Sequence, residues 1–227
     1  MDWKSLIHEA LKEGKGPLTV TRYGEIIPSS SLWVEVRKWV KIFREYGMSP
    51  GDRVSIQVSD VLPYLGSFLA SLWDGYQIMI FDPFKSIKVK KKLFPADLKI
   101  VEDKIYENEE MGFSLGQDPF EESDVRLIFL RGKGYTAYTD DDLSSLINSF
   151  KVKKRFLRNN VLSFSDWYRE IGIIQDVIPS LMWSDLLLQG SLKWDNEKIL
   201  AMKKKYHINV VKGLKKSIKE NNQLKLF

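Results

Sequence analysis

The feature that most constrains the fold is an alternation of strand and helix periodicity between residues 54 and 81. Residues 54–58 place Val, Ile and Val at every second position, and residues 78–81 are continuously apolar. Between them, residues 63–75 carry apolar side chains at helical spacing and end at a glycine. This order predicts two parallel strands joined by a crossover helix, the second strand being covered on both faces.

The same alternation continues along most of the chain. Amphipathic helices are predicted from residue 31, from Thr139 and from Asp195, and a largely apolar helical region from Ile171 to Leu188. Further strands are predicted at 98–101, 125–130, 161–164 and 208–211. We therefore expect an α/β protein with a mostly parallel sheet and helices on both faces.

The expected domain organisation is one α/β domain over residues 1–211, followed by a lysine-rich tail over residues 212–227. Five lysines between Lys85 and Lys92 are interpreted as a solvated helix face, and the segment from Glu107 to Glu110 as an acidic loop. Ser49-Pro50-Gly51-Asp52 has the pattern of a type II turn that leads into the first of the two strands.

Cysteine is absent, which excludes disulfides, thiolate nucleophiles and cysteine-ligated metals. The two histidines, His8 and His207, fall on amphipathic helices or at their edges, where a structural role is the ordinary one. We therefore expect neither a metal site nor a catalytic histidine.

The net charge of +5 comes mostly from the end of the chain, where residues 212–227 hold five lysines and one glutamate. The remainder is nearly neutral, so the sequence does not favour nucleic acid as a partner; a weaker alternative is salt-sensitive attraction of the tail to acidic surfaces. No apolar run approaches the ~20 residues needed to cross a bilayer, and no signal peptide is recognised. A cytoplasmic protein without a membrane partner is expected.

Three short segments carry a resemblance to a known family. They are Tyr46–Val54, with its Pro-Gly-Asp-Arg-Val turn, Phe68–Gly75, with Phe-Leu-Ala-x-Leu-x-x-Gly, and Ile80–Pro83. The sequence of these segments resembles the beginning of the adenylate-forming enzymes (AMP-binding, acyl-CoA synthetases), and a fainter resemblance extends through residues 124–143 and 161–211. The resemblance implies the front part of that family's N-terminal domain, in a truncated and degenerate form.

The resemblance also implies where phosphates would bind. In the family a Ser/Thr/Gly-rich loop follows a buried strand, whereas here the residues are Arg131, Gly132, Lys133 and Gly134. Two readings stay open: a surface turn, or a residual phosphate site that uses two glycines and two cations. Asp140, Asp141 and Asp142, at the start of the next helix, are expected to satisfy its dipole and to repel a triphosphate.

Other family motifs are altered or have no counterpart. Where the family has an acyl-pocket aromatic and a histidine, this chain has Trp167, Tyr168, Arg169 and Glu170. Arg169 or Glu170 replaces the histidine, and the aromatic residues either line a pocket or belong to the core. The family's magnesium-binding Glu, ribose-binding Asp and catalytic Lys have no equivalent.

We therefore expect an AMP-binding-enzyme-like protein that has lost ligase activity and acts as a binding or interaction module, without catalytic residues. No cofactor is expected, although ATP or AMP would bind if the residual site functions. The partner is expected to be a second copy or another protein that covers the face left by the truncation. The alternative is a divergent acyl-CoA or acyl-adenylate ligase completed by a partner chain.

Overall fold

A computed structural model describes residues 3–84, 96–102, 104–107, 125–131, 134–152 and 158–213. The chain divides into two compact units, one of residues 1–31 with 145–227 and the other of residues 32–144. Each unit is built on a sheet of its own.

The elements are numbered in chain order. The strands are β1 (Leu18–Val20), β2 (Ile26–Ile27), β3 (Arg53–Gln57), β4 (Gln77–Ile80), β5 (Leu98–Val101), β6 (Lys104–Glu107), β7 (Val125–Arg131), β8 (Gly134–Thr139), β9 (Asn160–Ser163), β10 (Leu186–Gln189) and β11 (Val210–Lys212). The helices are α1 (Trp3–Lys12), α2 (Ser29–Glu45), α3 (Val61–Trp73), α4 (Asp140–Val152), α5 (Glu170–Gly172), α6 (Ile178–Trp183) and α7 (Asn196–Lys205), with a π-helical turn at Ile173–Val177 between α5 and α6.

The second unit, residues 32–144, has the strand order β6-β5-β3-β4-β7-β8. The four inner strands are parallel, and β6 and β8 pair antiparallel at the edges. All four residues of β4 are buried, as its continuously apolar run predicts. Helix α3 is the crossover between the parallel strands β3 and β4 and is buried along most of its length. The predicted βαβ unit is therefore confirmed.

The turn that introduces β3 also agrees with its sequence pattern. Asp52 N donates to Ser49 O at 3.0 Å, and Gly51 has a positive φ of 95°, the conformation that the third residue of a type II turn requires. The Asp52 side chain accepts a second hydrogen bond from Ser49 N at 2.6 Å. The turn is therefore held by its own residues, and it directs the chain into the sheet.

Strand β8 was not predicted. Its sequence, Gly-Tyr-Thr-Ala-Tyr-Thr, is rich in β-prone residues, but it has no buried apolar run of its own because it is an edge strand with half-exposed side chains. It pairs antiparallel with β7 from Arg131↔Gly134 to Val125↔Thr139. The chain therefore runs back along the full length of β7 before α4 begins.

The first unit has the strand order β11-β9-β10-β1-β2. Strands β11, β9, β10 and β1 are parallel, and β2 closes one edge as an antiparallel strand. In one hydrophobic cluster of this unit, apolar side chains from the sheet and the segments beside it pack against α7. The buried residues of this cluster are Val20, Leu162, Phe164, Leu186, Leu188, Ile199 and Ile208.

The helical region predicted from Ile171 to Leu188 is wrong in its last part. The helix ends at Trp183, Ser184 takes an extended conformation, and Leu186–Gln189 form β10, an interior strand with every residue buried. A run of leucines fits a buried helix and a two-sided buried strand equally well, and here the sheet position between β9 and β1 decides for the strand.

Four other predicted strands, at 98–101, 125–130, 161–164 and 208–211, are confirmed within two residues at each end. They are observed at 98–101, 125–131, 160–163 and 210–212. The predicted helix capped by Asp195 is also confirmed. The side chain of Asp195 accepts a hydrogen bond from Lys198 N at 2.8 Å. The lysines of 85–92, residues 108–110 of the acidic loop and residues 214–227 of the tail lie outside the described residues. In the described ranges no helix is long and apolar enough to cross a membrane.

Candidate functional sites at the carboxyl ends of the strands

The predicted phosphate-binding residues lie at the junction of β7 and β8. Strand β7 ends at Arg131, β8 begins at Gly134, and these two residues are register partners. Because β7 runs parallel to β4, this junction lies at the carboxyl edge of the sheet, where open α/β sheets bind ligands. Gly132, Lys133 and the side chain of Arg131 lie outside the described structure, so phosphate binding there stays a prediction.

Neighbouring strands bring carboxylates to the same edge. Glu102, after β5, accepts hydrogen bonds from Ser59 N and Ser59 Oγ at 3.1 and 2.8 Å. Asp60, which caps α3, and Asp82, after β4, lie at the carboxyl ends of the two strands between β5 and β7. The potential along this edge is therefore more negative than the cations at 131 and 133 alone would suggest.

The three aspartates at the start of α4 lie at the opposite edge. Thr139 pairs with Val125, the first residue of β7, whereas Arg131 is the last. At ~3.3 Å per residue, the length of β7 separates the two ends of the hairpin by about 20 Å. The expectation that Asp140–Asp142 repel a phosphate bound at residues 131–134 is therefore wrong in its geometry.

These aspartates instead stabilise α4 itself. The predicted capping box is present: Asp142 N donates to Thr139 Oγ1 at 3.1 Å, and Thr139 N donates to Asp142 Oδ2 at 3.0 Å. The hydrogen bonds from Thr139 hold the pKa of Asp142 below its ordinary value. Asp140 accepts from Arg126 Nε at 2.9 Å, which ties the helix start to β7.

The first unit has a second sheet edge of the kind at which open α/β sheets bind ligands, which the sequence did not reveal. From β9 the chain passes through α5 and α6 to β10 on one side, and from β10 it passes through α7 to β11 on the other side of β9. Right-handed crossovers in opposite directions place their helices on opposite faces of a sheet. The adjacent carboxyl ends of β9 and β10 therefore form a topological switch point.

Polar groups surround this switch point. Gly190 N donates to Ser163 O at 2.7 Å, and Arg22 N donates to the side-chain oxygen of buried Gln189 at 3.3 Å. A Cβ atom on Gly190 would lie 2.8 Å from the ring of Phe164, so the backbone approaches that ring as closely as glycine permits. The strand ends are tightly packed.

A buried carboxyl group lies behind the end of β9. Asp176, in the π-helical turn, is 2% exposed, and its Oδ2 accepts a hydrogen bond from Ser163 Oγ at 2.6 Å. Ser163 Oγ accepts in turn from the indole N–H of Trp167 at 3.2 Å. Burial raises the pKa of Asp176, and this outweighs the opposing effects of hydrogen bonds from Ser163 and Ser165 and of the charge of Lys212.

The aromatic residues in the segment that resembles an acyl pocket belong to the core. Trp167 is fully buried and Tyr168 is 5% exposed, which fits the alternative that assigned them to packing. Arg169, one of the two candidates to replace the family's histidine, forms an ion pair with Asp166 at 3.1 Å in which both side chains are substantially exposed. Among the described residues, no cluster of acidic, histidine or cysteine side chains could hold a metal ion.

Neither a protein-family model nor a curated protein matches the sequence. Solved structures do match. Apo MatB from Rhodopseudomonas palustris aligns with 90% of this chain, at a TM-score of 0.66 and 16% sequence identity. The N-terminal domain of FACL13 from Mycobacterium tuberculosis aligns with 93% of the chain, at a TM-score of 0.68 and 10% identity. McyG A-PCP complexed with phenylalanyl-adenylate aligns with 93% of the chain, at a TM-score of 0.67 and 12% identity.

These structures are adenylate-forming enzymes, and the chain has the α/β fold of their N-terminal part. The fold implied by the turn at Pro50–Val54 is thus confirmed. The chain spans 48% of MatB, 62% of the FACL13 domain and 40% of McyG A-PCP. At these identities the similarity establishes a common fold.

Proposed function

We propose that this chain is a non-catalytic binding or interaction module built on the adenylate-forming fold. The observation that carries the proposal is the register pair Arg131↔Gly134, which leaves two residues, Gly132 and Lys133, to connect β7 with β8. A cradle for the phosphates of ATP needs several backbone N–H and hydroxyl donors in succession. A connection of two residues without a hydroxyl group supplies few of them.

The charges at the same edge support the proposal. Asp60, Asp82 and Glu102 follow the three parallel strands next to β7 in the sheet. Two unit charges of the same sign repel by about 1 kcal/mol at 4 Å in water, and more strongly where solvent is excluded. The acidic strand ends therefore offset the attraction that Arg131 and Lys133 would offer to a triphosphate.

The test is calorimetry with ATP, AMP and a non-hydrolysable acyl-adenylate analogue, together with a pyrophosphate-exchange assay. MatB from Rhodopseudomonas palustris, for which an ATP-bound structure is known, serves as the positive control. We expect no binding by the present chain under conditions in which MatB binds ATP, and no exchange activity. Exchange activity by the isolated chain would overturn the proposal.

The alternative function is a divergent acyl-CoA or acyl-adenylate ligase completed by a second polypeptide. It is favoured by the position of residues 131–134 at the carboxyl edge and by the similarity to ATP-bound MatB, at 15% identity and a TM-score of 0.65. The double variant Arg131→Ala, Lys133→Ala discriminates between the two. Nucleotide binding that is lost in this variant but kept in Lys203→Ala, Lys204→Ala, which removes the same charge from α7, would place a nucleotide site at residues 131–134, as the alternative requires.

The partner proposed for the module is a second copy of the chain or another protein. Large apolar side chains are exposed in both units, among them Tyr23 at 83%, Val34 at 66% and Leu192 at 59%. Light scattering coupled to size exclusion, at several concentrations and in both 50 and 500 mM salt (roughly a threefold change in Debye length), tests self-association. A monomer at all concentrations, combined with pull-downs that recover no protein, would contradict the interaction role.

A further inference from the structure

The two described sheets end in four edge strands, and three of these carry features that discourage pairing with another chain. Strand β6 contains Lys104 and Glu107, β2 has two residues and is followed by Pro28, and β11 has three residues and ends at Lys212. Short length, charged side chains and proline are the usual means of protecting a sheet edge. Strand β8 (Gly134–Thr139) is the exception, because its six residues include neither a charged residue nor a proline.

The exposure of β8 is that of a strand with an open side. No residue from Tyr135 to Thr139 is buried, and Tyr135 is 41% exposed, whereas the interior strands β4 and β10 are buried at every residue. Strand β8 pairs with β7 along one side. An edge strand directs the backbone N–H and C=O groups of alternate residues away from its partner, so β8 can accept a further strand.

The two ends of the β7–β8 hairpin differ in charge. The three aspartates of residues 140–142 follow one end, and Arg131 and Lys133 belong to the sequence of the other, about 20 Å away. Antiparallel pairing of two β8 strands therefore brings the acidic end of each copy beside the basic end of the other, whereas parallel pairing would bring the two acidic ends together. Asp82, the nearest carboxylate that follows a parallel strand, is two strands from β8. It is thus about 10 Å away, roughly one Debye length, and opposes this attraction only weakly.

We propose that two copies of this chain associate by antiparallel pairing of their β8 strands, which joins two six-stranded sheets into one. This inference rests on the proposed interaction role and names the surface and the partner. A two-fold axis perpendicular to the sheet relates the copies, so that one surface serves both. Five residues on each side form a small interface, and the dimer is therefore populated at high protein concentration.

The symmetry limits the register of the two strands. Because the axis keeps odd-numbered residues of both copies on one face of the sheet, each odd residue must oppose an odd one. In the register centred on Ala137, Thr136 lies opposite Tyr138 and Tyr135 opposite Thr139. Both pairs join an aromatic ring to a β-branched side chain, which is a favourable cross-strand combination. The neighbouring register, centred on Thr136, would instead place Gly134 opposite Tyr138.

The absence of cysteine from the chain makes disulfide cross-linking a direct test. Directly opposed residues of antiparallel strands have Cα atoms about 4.5–5.5 Å apart, within the range of a disulfide, so Ala137→Cys should form a covalent dimer under mild oxidation. Thr136→Cys is the matched control. Its two copies would be diagonal neighbours about 7–8 Å apart, so it should cross-link at least about tenfold more slowly. A mixture of Thr136→Cys with Tyr138→Cys should cross-link as Ala137→Cys does.

Light scattering over a range of concentrations tests the pairing without cysteine. Thr136→Lys adds to β8 the charge that protects other edge strands and should raise the dissociation constant of the dimer about tenfold or more, whereas Thr136→Val, which keeps the β-branched shape, should not. Asp141→Lys should also weaken the dimer. Asp141 is exposed and lies outside the Thr139–Asp142 capping box and the Asp140–Arg126 pair, so this variant should keep its fold.

The outcomes separate this inference from the proposed function. A dimer that Thr136→Lys does not weaken and that Ala137→Cys does not cross-link would overturn the β8 pairing and leave the interaction role standing. Cross-linking of Thr136→Cys alone as fast as Ala137→Cys would overturn the register. A wild-type chain that is monomeric at every concentration would overturn the pairing, and the interaction role would then depend on the pull-downs.

Discussion

Val125 and Thr139 are register partners at the end of the β7–β8 hairpin opposite to Arg131 and Gly134. The start of α4 is therefore remote from the residues that were candidates for phosphate binding. The acidic first turn of this helix caps the helix and, through Asp140, pairs with Arg126 of β7, so it can be altered independently of residues 131–134.

Thr139→Ala should destabilise the protein by about 1 kcal/mol, the usual effect of losing an N-terminal cap. The variant loses the hydrogen bond from Asp142 N to Thr139 Oγ1 and the one from Thr139 Oγ1 to Asp142 Oδ2. Chemical denaturation at pH 7 measures the change. Ser145→Ala, one turn further along the same helix, is the control and should stay within about 0.5 kcal/mol.

The hydrogen bonds between Thr139 and Asp142 should also give the protein a component of folding stability that is lost in acid. Because hydrogen bonds from Thr139 lower the pKa of Asp142, its contribution is present above the ordinary value of 3.8 and is lost as pH falls through the folded value. Thr139→Ala keeps the larger cause, the hydrogen bond from the backbone N–H of residue 139, and removes the one from the hydroxyl group, so it should remove part of this component, and the difference between variant and wild type should shrink in acid. A difference that grows as pH falls would contradict the assignment.

Leu187→Ala should destabilise the protein by roughly 2–5 kcal/mol, the range for large apolar side chains removed from a core. Leu187 is fully buried in β10, between β9 and β1. Leu192→Ala is the matched control, because the same substitution at a side chain that is 59% exposed should change stability by less than about 0.5 kcal/mol. Thermal and urea unfolding of the two variants measure the contrast, and equal effects would refute the placement of residues 186–189 in a buried strand.

Gly172→Ala should be strongly destabilising, by about 1–3 kcal/mol or more. A Cβ atom at this position would lie 2.1 Å from the backbone oxygen of Asp166, which cannot move without displacing the loop. Gly190→Ala provides a graded comparison, since its Cβ would meet the Phe164 side chain at 2.8 Å and a ring can shift more easily than backbone. If the Gly190 variant were the less stable of the two, the packing described for the loop would be wrong.

Tyr76→Phe should alter stability only at alkaline pH. Burial, together with the nearby carboxylates of Asp74 and Asp52, raises the pKa of Tyr76 to about 12. A tyrosine with a raised folded-state pKa stabilises the fold below its ordinary value of 10.0 and loses that contribution as pH rises to the folded value.

Urea unfolding at pH 7 and at several values between 10 and 12 tests this prediction. The wild type should lose stability over the alkaline window, and Tyr76→Phe should lose less. At neutral pH the effect should be small, because the hydrogen bond from Tyr76 to Asp74 is long, at 3.5 Å. Tyr23→Phe, at a side chain that is 83% exposed, is the control and should follow the wild type at every pH.

The parts of the fold that the sequence predicted are those decided by local rules. Gly51 is needed where φ is positive, Asp195 caps the next backbone N–H groups, and Thr139 and Asp142 reciprocate across one helical turn. Each of these depends on residues within four positions of one another. They could be read without knowledge of the tertiary structure.

The parts that were missed depend on pairing partners that their own residues do not specify. Leu186–Gln189 is a strand because β9 and β1 lie on either side of it, and Gly134–Thr139 is a strand because β7 offers a free edge. The contact between Asp176 and Ser163 depends on a π-helical turn, which has no reliable pattern of residue types. The candidate site at the switch point was hidden for the same reason, since strand order decides it.

The pairing of β1 with β10 has a consequence for biosynthesis. Leu18 and Leu186 are register partners although residues 32–144, a continuous segment with a sheet of its own, are synthesised between them. The described strands of this segment pair with one another, so its sheet can form while translation continues. Strand β1 can pair with β2 at once, but its other edge has no partner until β10 emerges, and an unpaired strand edge of this kind invites pairing with other chains.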